Sequence, residues 1–338
     1  MASNHRWIIG LTTSTGLLGL AVSSGLAIVA HHFVDELSHP HEIIDKARFS
    51  IDLPPIVAEP PQALRRSLSF QTSDGTFLRG EFWAQPQAAP TIILCHGYRI
   101  SRLPLRPVAA LEYGYGYNIL LFDFRGHGES ESVITSGGAA EVRDLEAAII
   151  AATRQPETLP GKIIIHGFSM GASIALLTPP HPDVAAIIAD SPYARLDDIL
   201  RRIVHYRLTS ESDGWKPSLR QLRRFFPAMT WAIVVASALE FRFRFGHTLF
   251  ARPDLSFKRW YEKRKDLRQV PILLIHGEAD GTIPIRHAHL LAAAAKASGT
   301  PLETYFVPQA RHCGAYGRDP EQYVSLVRAF ASRHLNLE

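Results

Sequence analysis

Short, unbroken apolar runs recur along the chain from residue 91 onward: Thr91–Cys95, Asn118–Phe122, Lys162–His166, Ala185–Ala189, Ile272–His276 and Glu303–Val307. Each is rich in β-branched residues and too short for a helix. Continuous rather than alternating hydrophobicity predicts strands buried on both faces. Ahead of them, Ser67–Thr72 and Thr76–Trp83 predict two further strands joined by a turn at Ser73-Asp74-Gly75. Between the runs the rhythm lengthens to that of helices. In Ala139–Thr153, Val142, Leu145, Ala148, Ile149 and Ala152 form one apolar face, and Arg286–Ala297 and Glu321–His334 are similar. Strand and helix in alternation predict an α/β fold with a mostly parallel sheet wrapped by helices on both faces.

The pattern differs at two places. Trp7–Ala30 is a stretch of 24 residues without a charge. As a helix it would measure about 36 Å, enough for a hydrocarbon core of about 30 Å. It predicts an N-terminal transmembrane helix (residues 1–30), with a signal peptide cut after Ala30 as the alternative. Arg6 before the segment, against Asp35 and Glu36 after it, places the N-terminus in the cytoplasm and the body outside. Residues 31–66, broken by Pro40, Pro54, Pro55, Pro60 and Pro61, read as a tether, and the histidines His31, His32, His39 and His41 as solvated linker. The second break lies between Pro192 and Arg268, within the body at 67–338. Here 17 Lys or Arg face 8 Asp or Glu, so this insertion carries +9 and the rest of the chain, from a total of +4, carries −5. Its apolar run Phe225–Leu239 is short for a bilayer span; it predicts a cap (192–268) over a pocket or a segment dipping into a membrane surface.

Composition narrows the chemistry. With 338 residues, 46% hydrophobic and 20% charged, the chain is globular. Two cysteines build neither a disulfide framework nor a four-thiolate zinc site. For Cys95 and Cys313 two states are open, a pair in an oxidising compartment or two buried thiols. The total charge does not point to nucleic acid. No dinucleotide loop, P-loop or H-E-x-x-H zinc motif occurs, and neither cofactor nor metal is expected.

One motif carries chemistry. Gly167-Phe168-Ser169-Met170-Gly171 follows a predicted strand and precedes a helix-like segment. In that setting G-x-S-x-G predicts a serine held on a sharp turn at the sheet's carboxyl edge. A serine hydroxyl needs a base, and the base an acid to fix its tautomer. His312 follows the last strand and Asp280 the one before it, in the chain order Ser, Asp, His. Asp190, after Ala185–Ala189, is an alternative acid. The amides of Met170 and Tyr98 are expected to hold the oxyanion, Gly97 letting its loop turn tightly.

With His96-Gly97-Tyr98, Asp123-Phe124-Arg125-Gly126-His127-Gly128-Glu129-Ser130, Gly167–Gly171, His276–Asp280 with Ile283-Pro284, and His312 in place, the sequence resembles α/β-hydrolase-fold serine hydrolases. The similarity is to the capped kind that includes monoacylglycerol-lipase-like and serine-aminopeptidase-like enzymes, and it covers residues 67–338. It implies an eight-stranded sheet, with nucleophile, acid and base at Ser169, Asp280 and His312, and a loop-shaping role for Asp123. The expected activity is hydrolysis of a carboxylic ester, lipid-like or small, at a membrane. The alternatives are a peptidase or amidase with the same triad, and a non-catalytic membrane-anchored binding protein.

Overall fold

Three strands are buried along their whole length: β4 (Asn118–Phe122), β6 (Val184–Asp190) and β7 (Ile272–Gly277). They lie in one eight-stranded sheet with β1 (Arg65–Gln71), β2 (Phe77–Trp83), β3 (Ala89–Cys95), β5 (Thr158–Phe168) and β8 (Leu302–Val307), in the order β1-β2-β4-β3-β5-β6-β7-β8. This computed structural model describes residues 23–40, 59–211, 221–246 and 269–336. From β4 to β8 all pairings are parallel; β2 runs against both neighbours. The β1–β2 hairpin turns at Gly75, whose φ of +92° suits a residue without Cβ.

The pleat divides the core in two. On β4, Leu120 and Phe122 face one side, where they join Leu145 and Ile149 of α3 (Glu141–Thr153), Ile174 of α4 (Met170–Leu177) and Leu291 of α7 (Arg286–Ser298). Ile119 and Leu121 face the other. There they meet Val108 of α2 (Arg106–Gly114), Tyr316 of α8 (Ala315–Arg318) and Phe330 of α9 (Pro320–Leu335). Both faces are covered, so the buried strands are apolar except for Asn118, Asp190 and His276 at or near their ends.

Beyond β4 the chain turns on two buried carboxylates. Asp123 accepts from the Arg102 amide at 2.6 Å and the Glu129 amide at 3.0 Å, and is paired with the Arg102 guanidinium. A Cβ on Gly128 (φ +51°) would come within 2.4 Å of the Asp123 carboxyl, so the loop closes onto that side chain. Asp144 takes the Arg125 Nε–H at 2.8 Å and its amide at 2.9 Å, while Asp74 takes the outer guanidinium nitrogens at 2.9 Å. The Arg125 guanidinium holds the Asp74 carboxyl well below the usual carboxylate range. Arg125→Ala leaves Asp144 buried without its charge partner. A stability loss of about 3–5 kcal/mol is expected, read as a lower urea midpoint.

The chain divides into two compact units: His39–Leu196 with Ala251–Glu338, which holds the sheet, and Met1–Ser38 with Asp197–Phe250. In the second, helical unit, α1 (residues 23–38) accompanies α5 (Leu196–Glu211) and α6 (Phe226–Phe245). Glu36 receives a two-pronged bond from Arg207 at 2.5 and 2.6 Å, Asp35 pairs with Arg244 at 2.8 Å, and His31 meets Glu240 at 2.7 Å. Ala30, Phe33 and Val34 are buried between them.

Residues 31–38, read from the sequence as the start of the tether, therefore continue a helix. It stops just short of Pro40, whose ring disfavours helical backbone in the residue before it. Of the proposed span Trp7–Ala30, residues 7–22 lie outside the described residues. Among the described residues one stretch, Gln221–Phe245, is long and apolar enough to cross a membrane, with 33% of its most apolar window buried. The helix runs past the apolar segment Phe225–Leu239 because Phe241, Phe243 and Phe245 continue it through Arg242 and Arg244.

Candidate active site

Ser169 stands between the end of β5 and the start of α4, with φ +54° and ψ −114°. A side-chain-bearing residue there carries strain of about 1–3 kcal/mol, held by its surroundings. The two flanking glycines show what holds it. A Cβ on Gly167 would lie 2.6 Å from the Ala172 backbone, and one on Gly171 2.3 Å from the Cys95 carbonyl oxygen. No side chain fits where strand, turn and helix close on each other. Gly171→Ala should push the β3 loop out of place at a cost of about 1–3 kcal/mol or more, seen as a lower melting temperature together with lost activity.

Two loops bring the partners. His312 follows β8, and its Nε2 lies 2.8 Å from Ser169 Oγ. Its Nδ1 lies 2.6 Å from Asp280 Oδ2, just beyond β7. The other Asp280 oxygen accepts the amides of Thr282 and Ile283, both at 2.8 Å. The two loops meet where a Cβ on Gly277 would strike the Ala310 carbonyl at 2.3 Å, and Ala279 N–H donates to that carbonyl at 3.0 Å. His276 sits 3.6 Å from Asp280, but its Nε2 bonds the Ile283 carbonyl at 2.7 Å. Burial lowers the His276 pKa, which keeps that ring neutral and leaves the carboxylate to His312. Burial also disfavours the His312 cation. The adjacent Cys313 together with the bond and charge of Asp280 outweigh it, and His312 is held well above its ordinary 6.5.

Met170 opens α4, so its amide belongs to the first helical turn and has no acceptor within the helix. The loop after β3 passes beside the serine: a Cβ on Gly97 would be 3.4 Å from Ser169 Cβ. Tyr98 follows directly, its ring 5.9 Å from that of His127. Ser169, His312 and Asp280 are thus in mutual reach, with Met170 and Tyr98 on the two segments that border the hydroxyl.

Asp190, the alternative acid, does not bond His312; its carboxylate is held by Ser191 Oγ at 2.8 Å and Tyr323 Oη at 3.2 Å. Cys95 and Cys313 do not pair. Both are buried free thiols, and burial pushes both pKa values up. Ser191 and Tyr323 were missed by the sequence reading, and no motif marks either. Among the described residues no group of three or more His, Cys, Asp or Glu could hold a metal ion.

Comparison with known proteins agrees with this geometry. Residues 92–326 match the model of the alpha/beta hydrolase family. The uncharacterized protein YqkD of Bacillus subtilis is 27% identical over 259 residues, 76% of this chain and 75% of that protein. The Pyrococcus furiosus esterase Pf2001 superposes with a TM-score of 0.60 at 25% identity, covering 84% of this chain and 98% of the esterase. A Pyrococcus horikoshii acylaminoacyl peptidase, 18% identical with a TM-score of 0.53 over 80% of this chain and 41% of its own, shares the fold. An eight-stranded sheet of this order, a strained serine at a strand-to-helix turn and a family match across most of the chain lead to one assignment: the protein belongs to the alpha/beta hydrolase family.

Proposed function

We propose that the protein is a serine hydrolase that cleaves carboxylic esters through an acyl-enzyme. The observation that carries this reading is the unbroken line Ser169 Oγ, His312, Asp280, with separations of 2.8 and 2.6 Å. Ser169 Oγ attacks the ester carbonyl carbon and its proton passes to His312 Nε2. The carbonyl π pair moves onto oxygen, where the amides of Met170 and Tyr98 stabilise it. Collapse expels the alcohol, which takes the proton back from His312. Water, deprotonated by the same nitrogen, then releases the acid and restores Ser169. Asp280 keeps the Nδ1–H of His312 in place and offsets the cation.

Ester rather than amide is favoured by the likeness to an esterase over nearly that enzyme's whole length. An amphiphilic, lipid-like ester is favoured by the insertion at 192–268, with its excess of +9 and its apolar helix α6. The uncharged stretch Trp7–Ala30 supports anchoring in a membrane, with the catalytic body on the far side from Arg6.

The test is a panel of p-nitrophenyl esters of graded acyl length beside matched p-nitroanilides, with and without anionic vesicles, on the full chain. Ester turnover with a steep length optimum and no anilide turnover is expected. Equal anilide turnover would move the assignment to a peptidase or amidase. No ester turnover and no labelling of Ser169 by a fluorophosphonate would favour a binding protein.

A further inference from the structure

We propose that Asp190 and Ser191, at the end of β6, form a positioning bracket that sets the distance between Ser169 and His312. The inference rests on the serine-hydrolase reading and adds residues that the triad chemistry does not require. β6 lies between β5, which delivers Ser169, and β7, which precedes the acid. The Asp190 carbonyl accepts the Ser169 amide at 2.9 Å. The next residue reaches the base: Ser191 Oγ accepts the Cys313 amide at 3.1 Å, one peptide away from His312. Two adjacent residues thus hold the nucleophile's backbone with one hand and the base's backbone with the other.

The bracket is itself fixed. Ser191 N–H donates to the Ile275 carbonyl at 2.9 Å, and its hydroxyl donates to Asp190 Oδ1. Tyr323 Oη, kept protonated by burial, donates to Asp190 Oδ2. Behind it His166 Nε2 lies 3.2 Å from Tyr323 Oη, and His166 Nδ1 lies 2.6 Å from Glu112. Asp190 and Ser191 are 1% and 0% exposed, so no bulk water can replace a lost partner. Both joined residues also have left-handed backbone: φ is +55° at Ser191 and +49° at Cys313. Such conformations persist only where surroundings over-determine them. A bond between two strained turns, beside the Ser169–His312 contact, is a device for geometry. A shift of about 1 Å in such a contact costs about 100-fold in rate.

Ser191→Ala and Ser191→Gly, made in the full chain, separate positioning from stability. Both remove Oγ, but glycine adopts φ +55° without Cβ strain, so it should melt closer to wild type than alanine. The readouts are kcat and KM on p-nitrophenyl butyrate, the rate of fluorophosphonate labelling, and the melting temperature. Both variants are expected to lose about 10- to 100-fold in kcat and labelling rate, with KM within about twofold. Wild-type kcat in Ser191→Gly, or kcat recovering from alanine to glycine in step with melting temperature, would overturn the bracket. Ser169→Ala is run alongside. If it retains turnover, the hydrolase reading itself fails; if it is silent while Ser191→Gly is fully active, only the bracket fails.

Discussion

Replacing Ser169 with alanine should lower kcat by about 10⁶-fold while leaving the fold intact. The hydroxyl is the group that forms the new bond, and a methyl offers no lone pair. Its neighbours do not depend on it for packing: the bonds that anchor position 169, from its amide to Asp190 and from the Ser173 amide to its carbonyl, are backbone bonds that alanine keeps. The melting temperature should therefore change little and KM should stay near wild type, because substrate contacts outside the reacting atoms remain. Residual hydrolysis of about 10³-fold over water is expected from the oxyanion donors and binding alone. A variant that keeps more than a few per cent of wild-type turnover in a preparation free of wild-type enzyme would remove the nucleophile from the proposal.

Asp280→Asn should cost about 10⁴-fold in kcat and move the pH profile. Turnover needs a neutral His312 to accept the serine proton, so kcat/KM in the native enzyme rises with pH through the His312 pKa. Working against burial, Cys313 and the bond and charge of Asp280 together hold that pKa above 6.5. Asparagine keeps the shape but removes the negative charge. With one of the two opposing influences gone, burial weighs more, the imidazolium is less favoured than in the native enzyme, and the limb of the profile moves to lower pH. The shift and the rate loss have separate origins, since the amide of asparagine also favours the wrong tautomer of the ring. A profile that falls in height but keeps its midpoint would mean that another group sets the titration. Asp190 is the carboxylate to examine in that case, being buried close behind the same loop.

The elements nearest the site were the most legible in the sequence, for a physical reason. β4, β6 and β7 are apolar apart from Asn118, Asp190 and His276 at or near their ends because helices cover both their faces, so a nearly plain apolar run identifies each. Gly167 and Gly171 stand where any Cβ would collide with backbone, so the turn is written into two residues at fixed spacing. Asp280 and His312 stood out because each directly follows a strand. Ser191 did not, although it too follows one. Its partner Cys313 lies 122 positions away, and a serine after an apolar strand has many ordinary explanations. The continuation of α1 over residues 31–38 escaped for the opposite reason. This stretch is largely polar, and its partners Arg207, Glu240 and Arg244 are distant in sequence and could not be placed beside Glu36, His31 and Asp35 by periodicity. The cysteines do not pair: Cys95 is enclosed by the core, and Cys313 lies against His312, its amide on Ser191.

The continuity of α1 through Ala30 bears on how the chain would behave after trimming. Removal of residues 1–30 would cut the described helix between Ala30 and His31 and leave a fresh, fraying end at His31, the residue that meets Glu240. Ala30, now 1% exposed, would be gone from the seam between α1 and its companions. A proteolytically shortened chain would then differ from the intact one in more than its attachment: the helical unit would lose a splint, and its loosening would follow the processing step.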